Sequence, residues 1–436
     1  GVVTKTISVV VNGDTTAEPN ETFTVTLSNP VNAVIGDGSG TGTILNDDAA
    51  GPCVDTDNDR LCNTVETNTG IFVNSNNTGT NPSLADTDGD GIADGDEVLG
   101  TLGGLNLLAL GASPVKKNIL FEYDWVDDSH NEAFEACGAH SHRPTVAMIN
   151  RVAAAFAASP HTNPDGTTGI TLIQDYGQGG AFTGGNLLAH AANLTGGVNG
   201  ADYLNTKAAN FAPNRSGYFH YVIMSHWYTE FLGSSGQAEL PGDDMIVTLG
   251  CFISTENVAN TIMHEAGHNF NIRHGGNENC NWKPNYNSVM NYRFQFDGVD
   301  SNASCNALGS FGETNILDYS RGTRISLNEN NLNENAGVCG ATPIDWNSSG
   351  TITAGLVYEL NRDPFDPSFI DNFGCTASLT TLNDHNDWAS LSFTGINDGD
   401  GDSLLGLWMY YAKEIVTDTN VIPRLPAPGV IRQPQQ

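Results

Sequence analysis

Basic residues are scarce in this sequence. Its 436 residues include 17 Lys and Arg against 50 Asp and Glu, which gives a formal net charge of −33. So few cations exclude nucleic-acid binding by phosphate neutralisation and make docking to an anionic membrane unfavourable. Only 15% of the residues are charged, so the imbalance comes from missing cations rather than from a densely charged surface.

Long apolar runs are missing as well. The best stretch, Leu105–Leu110, stops at a glycine, whereas a bilayer-spanning helix needs about 20 apolar residues. We therefore expect no membrane span. The chain begins Gly1-Val2-Val3, without a methionine or a basic leader, so we expect a mature or excised part of a longer protein. Its length and its 39% of hydrophobic residues predict several domains.

The sequence also lacks closely spaced cysteine pairs. The eight cysteines are scattered along the chain and include no Cys-x-x-Cys. Such a set favours disulfides in an oxidising compartment over a zinc ribbon, although buried free thiols remain an alternative. A disulfide between Cys280 and Cys305 would rigidify the segment that they bracket. We therefore expect a secreted, extracellular protein.

Residues 1–48 have the pattern of β-structure. Thr6–Val11 and Thr22–Leu27 alternate β-branched with polar residues. The segment resembles the C-terminal half of a Calx-β domain, which is an all-β, immunoglobulin-like sandwich. The resemblance implies calcium-binding acids near one end of the sandwich, and an acidic solvated edge is the alternative. The matching residues are Glu18, Glu21, Asp47 and Asp48.

Residues 49–113 form an acidic linker that contains the spacing of a calcium loop. Asp86–Glu97 fits D-x-D-x-D-G-x5-E in full. Its six carboxylates within twelve residues repel one another unless a cation binds between them, and Gly91 allows the sharp turn that such a loop needs. The candidate calcium ligands are Asp86, Asp88, Asp90, the Ile92 carbonyl, Asp94 through water, and Glu97.

A weaker loop, Asp55–Glu66, precedes it. Arg60 stands where glycine is preferred, and an acidic loop closed by a Cys53–Cys62 disulfide is the alternative interpretation. Its candidate calcium ligands are Asp55, Asp57, Asp59 and Glu66. Together the two loops resemble the thrombospondin type-3-like or EF-hand-like calcium repeats of secreted bacterial proteins, which implies a metal-stiffened spacer and a bacterial source.

The chain changes to an α/β pattern in residues 114–300. Apolar strands such as Asn118–Val126 alternate with segments of helical periodicity such as Arg143–Ser159. We predict an α/β domain with a mixed sheet here, a C-terminal subdomain in residues 301–424 and a disordered tail in residues 425–436. The predicted fold class is therefore multidomain, with half of an all-β sandwich and the calcium-loop linker preceding the α/β domain.

The sequence from His264 to His274 carries the strongest chemical signal. His264-Glu265-Ala266-Gly267-His268 places two histidines four residues apart, and on a helix both project from one face toward a single tetrahedral ion. His274 offers a third imidazole. Three neutral imidazoles and a water molecule make an open, catalytic zinc site rather than a closed, structural one.

The neighbouring residues favour a helix that stops shortly after these histidines. Ser254 or Thr255 can cap its start. A third ligand six residues after His268 requires the chain to reverse through a left-handed residue, and Asn271 tolerates that conformation best after glycine. An apolar stripe at helical spacing should pack against the sheet; its members are Val258, Ile262 and Ala266.

A second segment, NYNSVMNYRF, follows His274 and contains Met290 and Tyr292. This segment and HExxHxxNxxH together resemble the metzincin zinc endopeptidases, over residues 117–296. The resemblance implies that Met290 forms the floor beneath the zinc, that Glu265 is the general base for attack of water on a peptide bond, and that Tyr292 hydrogen-bonds the oxyanion. It also implies a protein or peptide substrate. A structural role for Tyr292 is the alternative.

Other interpretations stay open. A distant glutamate as third zinc ligand, as in gluzincins, is disfavoured because His274 stands where a ligand is needed. A catalytically silent domain would leave a calcium-dependent adhesion protein that contacts extracellular matrix through its N-terminal modules. His140 and His142 are given a surface or cleft role, whereas His220 and His226 are given a place in the core.

Overall fold

The computed structural model describes residues 20–45, 53–128, 138–189, 196–226, 234–251, 254–296, 298–301, 315–361 and 379–393, with single residues at 7, 9, 11, 194, 305 and 375. The predicted tail 425–436, most of the predicted strand Thr6–Val11, and the acids Glu18, Asp47 and Asp48 lie outside the described residues.

The described secondary structure is numbered in chain order. The strands are β1 (Glu21–Thr26), β2 (Ser39–Ile44), β3 (Asn118–Trp125), β4 (Asp127–Asp128), β5 (His140–Ser141), β6 (Thr171–Asp175), β7 (Phe219–Met224), β8 (Gly236–Ala238), β9 (Asp244–Val247), β10 (Leu327–Asn328), β11 (Leu332–Asn333), β12 (Ala354–Leu356) and β13 (Thr381–Leu382). The helices are α1 (Asp94–Leu99), α2 (Leu107–Leu110), α3 (Val146–Ala157), α4 (Ala201–Asn210) and α5 (Thr255–Asn269). Short 3-10 turns occupy Gly197–Asn199, Pro213–Arg215 and Trp388–Ser390.

A five-stranded sheet organises the α/β part of the chain. Its strand order is β6-β3-β7-β9-β8. The first four strands are parallel, and β8 is antiparallel to β9. The predicted α/β pattern with a mixed sheet is therefore confirmed. All eight residues of β3 are buried, as expected for a parallel strand that is covered on both faces.

Side chains from the two faces of the sheet enter two different hydrophobic clusters. Phe121 and Tyr123 on β3 pack with residues of α3 and α5. Leu120, which directly precedes Phe121, belongs to the other cluster, because successive residues of a strand point to opposite faces. This second cluster also contains Ile92 and Leu107, so the acidic segment is packed onto the sheet rather than extended away from it.

The remaining strands form small two-stranded pairs. β1 and β2 make an antiparallel ribbon with Glu21 opposite Ile44, and Glu21 is exposed there. Beyond the main sheet, β10 pairs with β13 and β11 with β12. These strands surround a third hydrophobic cluster, which includes Leu327 and Trp346.

Disulfide bonds connect the cysteines in a pattern that differs from one expectation. Cys53 is bonded to Cys62, as the alternative for the first acidic loop supposed. The proposed bond between Cys280 and Cys305 is wrong, because Cys280 is bonded to Cys375 and Cys305 to Cys339. Cys280 and Cys375 are 95 residues apart in the chain, and only the packing of the third cluster brings them together.

No helix in the described part of the chain is long and apolar enough to cross a membrane.

A buried ion-pair network joins two strands of the sheet. Arg215 donates from Nη1 to Oε2 of Glu122 at 2.5 Å and from Nη2 to Oδ2 of Asp175 at 2.6 Å. Glu122 lies on β3 and Asp175 ends β6, and all three side chains are at most 5% exposed. Removing the cation leaves two buried carboxylates without their counter-charge.

We expect Arg215→Ala to lower the free energy of unfolding by about 3–5 kcal/mol, because it breaks a buried ion pair. Urea unfolding measures this loss. Lys116→Ala is the control, because Lys116 makes a partly exposed pair with Asp165, and such a pair contributes about 0–1 kcal/mol. Equal losses in the two variants would contradict the expectation.

Candidate metal centre

Helix α5 carries the histidine motif and is positioned by its cap and its apolar stripe. The Ser254 hydroxyl accepts a hydrogen bond from the Asn257 amide at 3.1 Å, which confirms the predicted cap. The predicted stripe is also confirmed, since its residues lie in the cluster against the sheet; they are Val258, Ile262 and Ala266. After the helix ends, Asn271 has φ of 70°, as the required chain reversal predicted.

The chain reversal brings His274 beside His264 and His268. The ring centroids are 4.9 Å apart for His264 and His268, 5.2 Å for His264 and His274, and 4.8 Å for His268 and His274. All three side chains are buried. Each offers one nitrogen to a common group in which the three nitrogens lie within 4.8 Å of one another.

Backbone carbonyls fix the orientation of two of these rings. Nδ1 of His264 lies 2.8 Å from the Val289 carbonyl oxygen, and Nδ1 of His268 lies 2.8 Å from that of Ile272. A carbonyl only accepts, so each Nδ1 carries the proton and each Nε2 keeps its lone pair, the arrangement found for metal-binding histidines.

Burial also keeps the imidazoles neutral. It lowers the pKa of His268 to about 4 and the pKa values of His264 and His274 well below their usual range. Among the residues that the structure describes, Nε2 of His264 and Nε2 of His274 have no hydrogen-bond partner. Buried polar atoms are rarely left without a partner. Neutral imidazole nitrogens that converge in this way fit a zinc ion.

Glu265 is on helix α5, next to the motif histidines, and its carboxyl group packs against the edge strand β8 of the sheet. A Cβ built on Gly236 of β8 would lie 2.5 Å from Oε1 of Glu265, so only a residue without a side chain fits there. The carboxyl group is buried, and burial raises its pKa well above the usual range. Within the described part of the chain, Oε1 has no hydrogen-bond partner. One oxygen of the carboxyl group therefore lies buried between α5 and β8 without a partner among the described residues.

Met290 packs directly against the helix turn that carries the ligands. A Cβ built on Gly267 would lie 2.2 Å from the Met290 sulfur, and Met290 itself is fully buried. The neighbouring Val289 supplies the carbonyl that orients His264. Met290 thus lies beside the histidine cluster, in contact with the helix between its two motif histidines.

Tyr292 lies beside the histidine group, closest to His274. Its ring centroid is 4.3 Å from that of His274 and 5.9 Å from that of His264. Its amide donates to the side chain of Asn281 at 3.0 Å. The ring is only partly buried, so the tyrosine is at the border between the histidines and solvent.

Asp387 anchors the segment around Met290 and was missed by the sequence analysis. Its carboxylate accepts hydrogen bonds from the Tyr286 hydroxyl at 2.9 Å, the Ser288 hydroxyl at 2.5 Å and the Ser320 amide at 3.1 Å. Nδ1 of His385 lies 2.9 Å from the same carboxylate. Asp387 is 99 positions after Ser288, and no local pattern in the sequence links residues so far apart.

The two acidic loops share one backbone arrangement. Oδ1 of Asp86 accepts from the Gly89 amide and Oδ2 from the Gly91 amide, while Asp55 accepts in the same way from the amides of Asn58 and Arg60. Gly91 has φ of 95°, and Arg60 has φ of 82°. Arg60 therefore adopts the turn for which glycine is preferred.

Carboxylates of these loops form several close groups, and three of them have the following members. Asp86, Asp88 and Asp90 form one group, and Asp55, Asp57 and Asp59 form another. The third group contains Asp94 with Asp59 and Glu66. Asp94, expected to serve the loop that contains it, thus lies with acids of the earlier loop, and its carboxylate also accepts from the amide and hydroxyl of Thr87.

Two other predicted ligands of the Asp86–Glu97 loop, Asp90 and Glu97, contact the start of β3. The Asn118 side chain donates to Oδ2 of Asp90 at 3.2 Å and to Oε1 of Glu97 at 2.8 Å. Ile92 packs its side chain into the cluster under the sheet, and its amide donates to Oδ1 of Asp90. The loop is therefore held against the α/β part of the chain.

Burial and mutual repulsion raise the pKa values of these acids. Burial is the larger cause and neighbouring carboxylates the smaller one for Asp88, whose pKa rises to about 9. The pKa values of Glu66 and Asp94 rise to about 7 for the same main reason, and that of Glu97 rises well above its usual range. A bound cation would reverse these shifts.

Comparisons with known proteins add little to this geometry. No family model matches the chain, and no curated protein matches it. Among solved structures, the chain is similar to archaemetzincin from Methanopyrus kandleri, with 14% sequence identity, coverage of 41% of this chain and 81% of that chain, and a TM-score of 0.24. A TM-score this low does not establish a shared fold.

We expect Asn271→Ala to lower the free energy of unfolding by about 1–2 kcal/mol, because alanine is strained at positive φ. Asn271→Gly is the matched variant, and it should stay within about 1 kcal/mol of wild type, because glycine adopts this conformation but gains entropy in the unfolded chain. Urea unfolding separates the two. An alanine variant as stable as the glycine variant would contradict the role given to this turn.

Proposed function

We propose that the protein is a zinc-dependent endopeptidase that hydrolyses peptide bonds in proteins. The observation that carries the proposal is the convergence of His264, His268 and His274, with two Nδ1 atoms engaged by carbonyls and buried Nε2 atoms facing one another. Glu265 lies beside them with a buried carboxyl group. This is the donor set of an open zinc site with a general base next to it.

The residues around the cluster have separate roles in this proposal. When bound, zinc acts as a Lewis acid that polarises the peptide carbonyl and lowers the pKa of a water molecule. Glu265 accepts the proton of the attacking water and returns it to the leaving amine. A nearby positive charge favours its ionised form, which offsets the burial that raises its pKa. Tyr292, beside His274, donates a hydrogen bond from its hydroxyl to the developing oxyanion.

The edge strand β8 offers a place for the substrate. Among the described strands it pairs with β9 along one side only, and an extended peptide can add to such an edge through backbone hydrogen bonds. Gly236 of β8 touches the Glu265 carboxyl group. A peptide on this edge would therefore pass close to the general base, and we propose this strand as the binding site for the substrate backbone.

We also propose that the two acidic loops bind calcium. Oxygen-only donor sets favour calcium over zinc. Buried oxygens of Asp57, Asp59, Glu66 and Asp88 have no hydrogen-bond partner among the described residues, which supports a cation in both loops. Because the Asp86–Glu97 loop packs on the first residues of β3, bound calcium would stabilise the domain that carries the histidines.

For the whole chain we propose the domain arrangement that the sequence predicts. Residues 1–48 would be half of a Calx-β-like sandwich, 49–113 the calcium-loop segment, 114–300 the metzincin-like domain and 301–424 its C-terminal subdomain. Disulfide bonds support secretion, since oxidising compartments preserve them. A secreted bacterial peptidase is the function proposed for the whole.

We expect Glu265→Gln to lower kcat/KM for casein-derived peptides by about 10²–10⁴-fold, because the variant lacks the general base. Zinc content, measured by mass spectrometry of the metal, should not change, whereas His264→Ala should lose that zinc. Glu256→Gln, in the first turn of the same helix, is the matched control and should retain activity.

Casein turnover that survives Glu265→Gln would contradict the peptidase proposal. A wild-type protein that binds zinc through His264 but cleaves no peptide would favour the alternative of a calcium-dependent adhesion protein. Binding of the chain to extracellular matrix with and without calcium would then measure that alternative directly.

Calcium should stabilise the protein, and more strongly at higher pH. Without calcium, the raised pKa of Asp88 means that the folded state holds more protons than the unfolded state between about pH 4 and pH 9, so stability falls as the pH rises through that window. Bound calcium favours the ionised carboxylates and removes this loss. Thermal unfolding in EGTA and in excess calcium, at several pH values, measures the difference.

Asp88→Asn provides the control for this dependence. In EGTA at pH 8 the variant should be at least as stable as wild type, because it removes a buried repulsive charge, and its response to calcium should be smaller. Asp37→Asn, in the turn between β1 and β2, should behave as wild type. An identical melting temperature with EGTA and with calcium would argue against calcium in the loops.

A further inference from the structure

A second histidine cluster lies apart from the first, where three segments of the chain meet. His140 is on β5, His142 follows it, and His226 comes shortly after the end of β7. The carbonyl of Gly250, shortly before helix α5, points at the same spot. The sequence predicts a surface or cleft role for the first two histidines and a core position for His226, and the structure brings all three together.

The spacing of this cluster matches that of the first. The ring centroids are 4.6 Å apart for His140 and His142, 5.4 Å for His140 and His226, and 5.3 Å for His142 and His226. Residues two apart in an extended segment face the same side, which explains why His140 and His142 meet. His142 and His226 are buried, and His140 is partly buried.

The distances between the donor atoms fit a tetrahedral ion. Nε2 of His142 lies 3.2 Å from Nε2 of His140, 3.2 Å from Nδ1 of His226 and 3.0 Å from the Gly250 oxygen. Nε2 of His140 lies 3.3 Å from the same oxygen. Ligands about 2.0–2.1 Å from a tetrahedral zinc are about 3.3 Å apart, close to all four of these distances.

A count of protons points to a cation at the same place. His140 faces carbonyl oxygens with both nitrogens, Gly138 from Nδ1 at 2.8 Å and Gly250 from Nε2. His142 does the same, with the Val126 oxygen 2.9 Å from Nδ1 and Gly250 at Nε2. A neutral imidazole has one N–H, so in each ring one nitrogen lone pair faces a carbonyl lone pair.

Protonating both rings would not relieve this repulsion. Two imidazolium groups would then have their Nε2 atoms 3.2 Å apart in a largely buried place, where like charges repel each other. A cation between the rings and the Gly250 oxygen instead attracts every lone pair. Nδ1 of both rings can then donate to the Gly138 and Val126 carbonyls, as metal-bound histidines do.

We propose that His140, His142 and His226, with the Gly250 carbonyl, form a second binding site for a transition-metal ion such as zinc. The site is distinct in its residues from the His264, His268 and His274 cluster. An ion bound there connects strand β5, the end of β7 and the residues just before helix α5. Its role is structural: it fixes the approach to the helix that carries the catalytic histidines.

Zinc stoichiometry tests the proposal on the full chain. The protein is loaded with Zn²⁺ in a calcium-containing buffer, dialysed, and its metal content is measured by mass spectrometry. We expect two zinc ions for wild type, one for His142→Ala and one for His264→Ala. His161→Ala should keep two, because His161 bonds to the Ser159 hydroxyl outside both clusters. Circular dichroism checks that each variant folds.

The His264→Ala variant decides the matter if His142→Ala fails to fold. X-ray absorption at the zinc edge should then show the one remaining ion bound by imidazole nitrogens, and addition of His226→Asn should weaken its retention at least tenfold. Two zinc ions in a folded His142→Ala protein, or none in His264→Ala, would overturn the second site, whereas a single ion that His264→Ala keeps and His142→Ala loses would support it.

Discussion

Three imidazole rings must each direct one nitrogen to a common point for the candidate metal centre to exist, and two backbone hydrogen bonds fix two of these rings. The Val289 carbonyl takes the Nδ1 proton of His264, and the Ile272 carbonyl takes that of His268. Both rings then turn their Nε2 lone pairs inward. A buried lone pair without a partner, such as that of His264 Nε2 among the described residues, is unfavourable. A metal ion bound here would therefore stabilise the folded state.

The supporting structure follows from that requirement. Val289 is in position because the adjacent Met290 packs on Gly267, where no side chain would fit. The same segment is tied through Ser288 to Asp387, which comes from the far end of the described chain. Residues that never touch the histidines therefore hold them, and a substitution near Asp387 would be felt at the metal centre.

The buried acids of this chain need a counter-charge or a proton. Burial raises the pKa values of Asp88 and Glu97, and neighbouring carboxylates add to the rise. The same oxygens would become ligands under the calcium binding proposed above. The scarcity of Lys and Arg means that few side chains can neutralise these acids. Arg215, between Glu122 and Asp175, is one of them.

Local patterns in the sequence determined the helix that bears His264 and His268, its capping residue, the left-handed turn at Asn271 and the strand and helix segments of the α/β domain, because each depends on residues close together in the chain. Tertiary structure alone decided that Cys280 pairs with Cys375, that Asp94 joins acids of the other loop and that His226 meets His140. Those contacts follow from strand order and packing between distant segments, and hydrophobic periodicity does not encode which segments become neighbours.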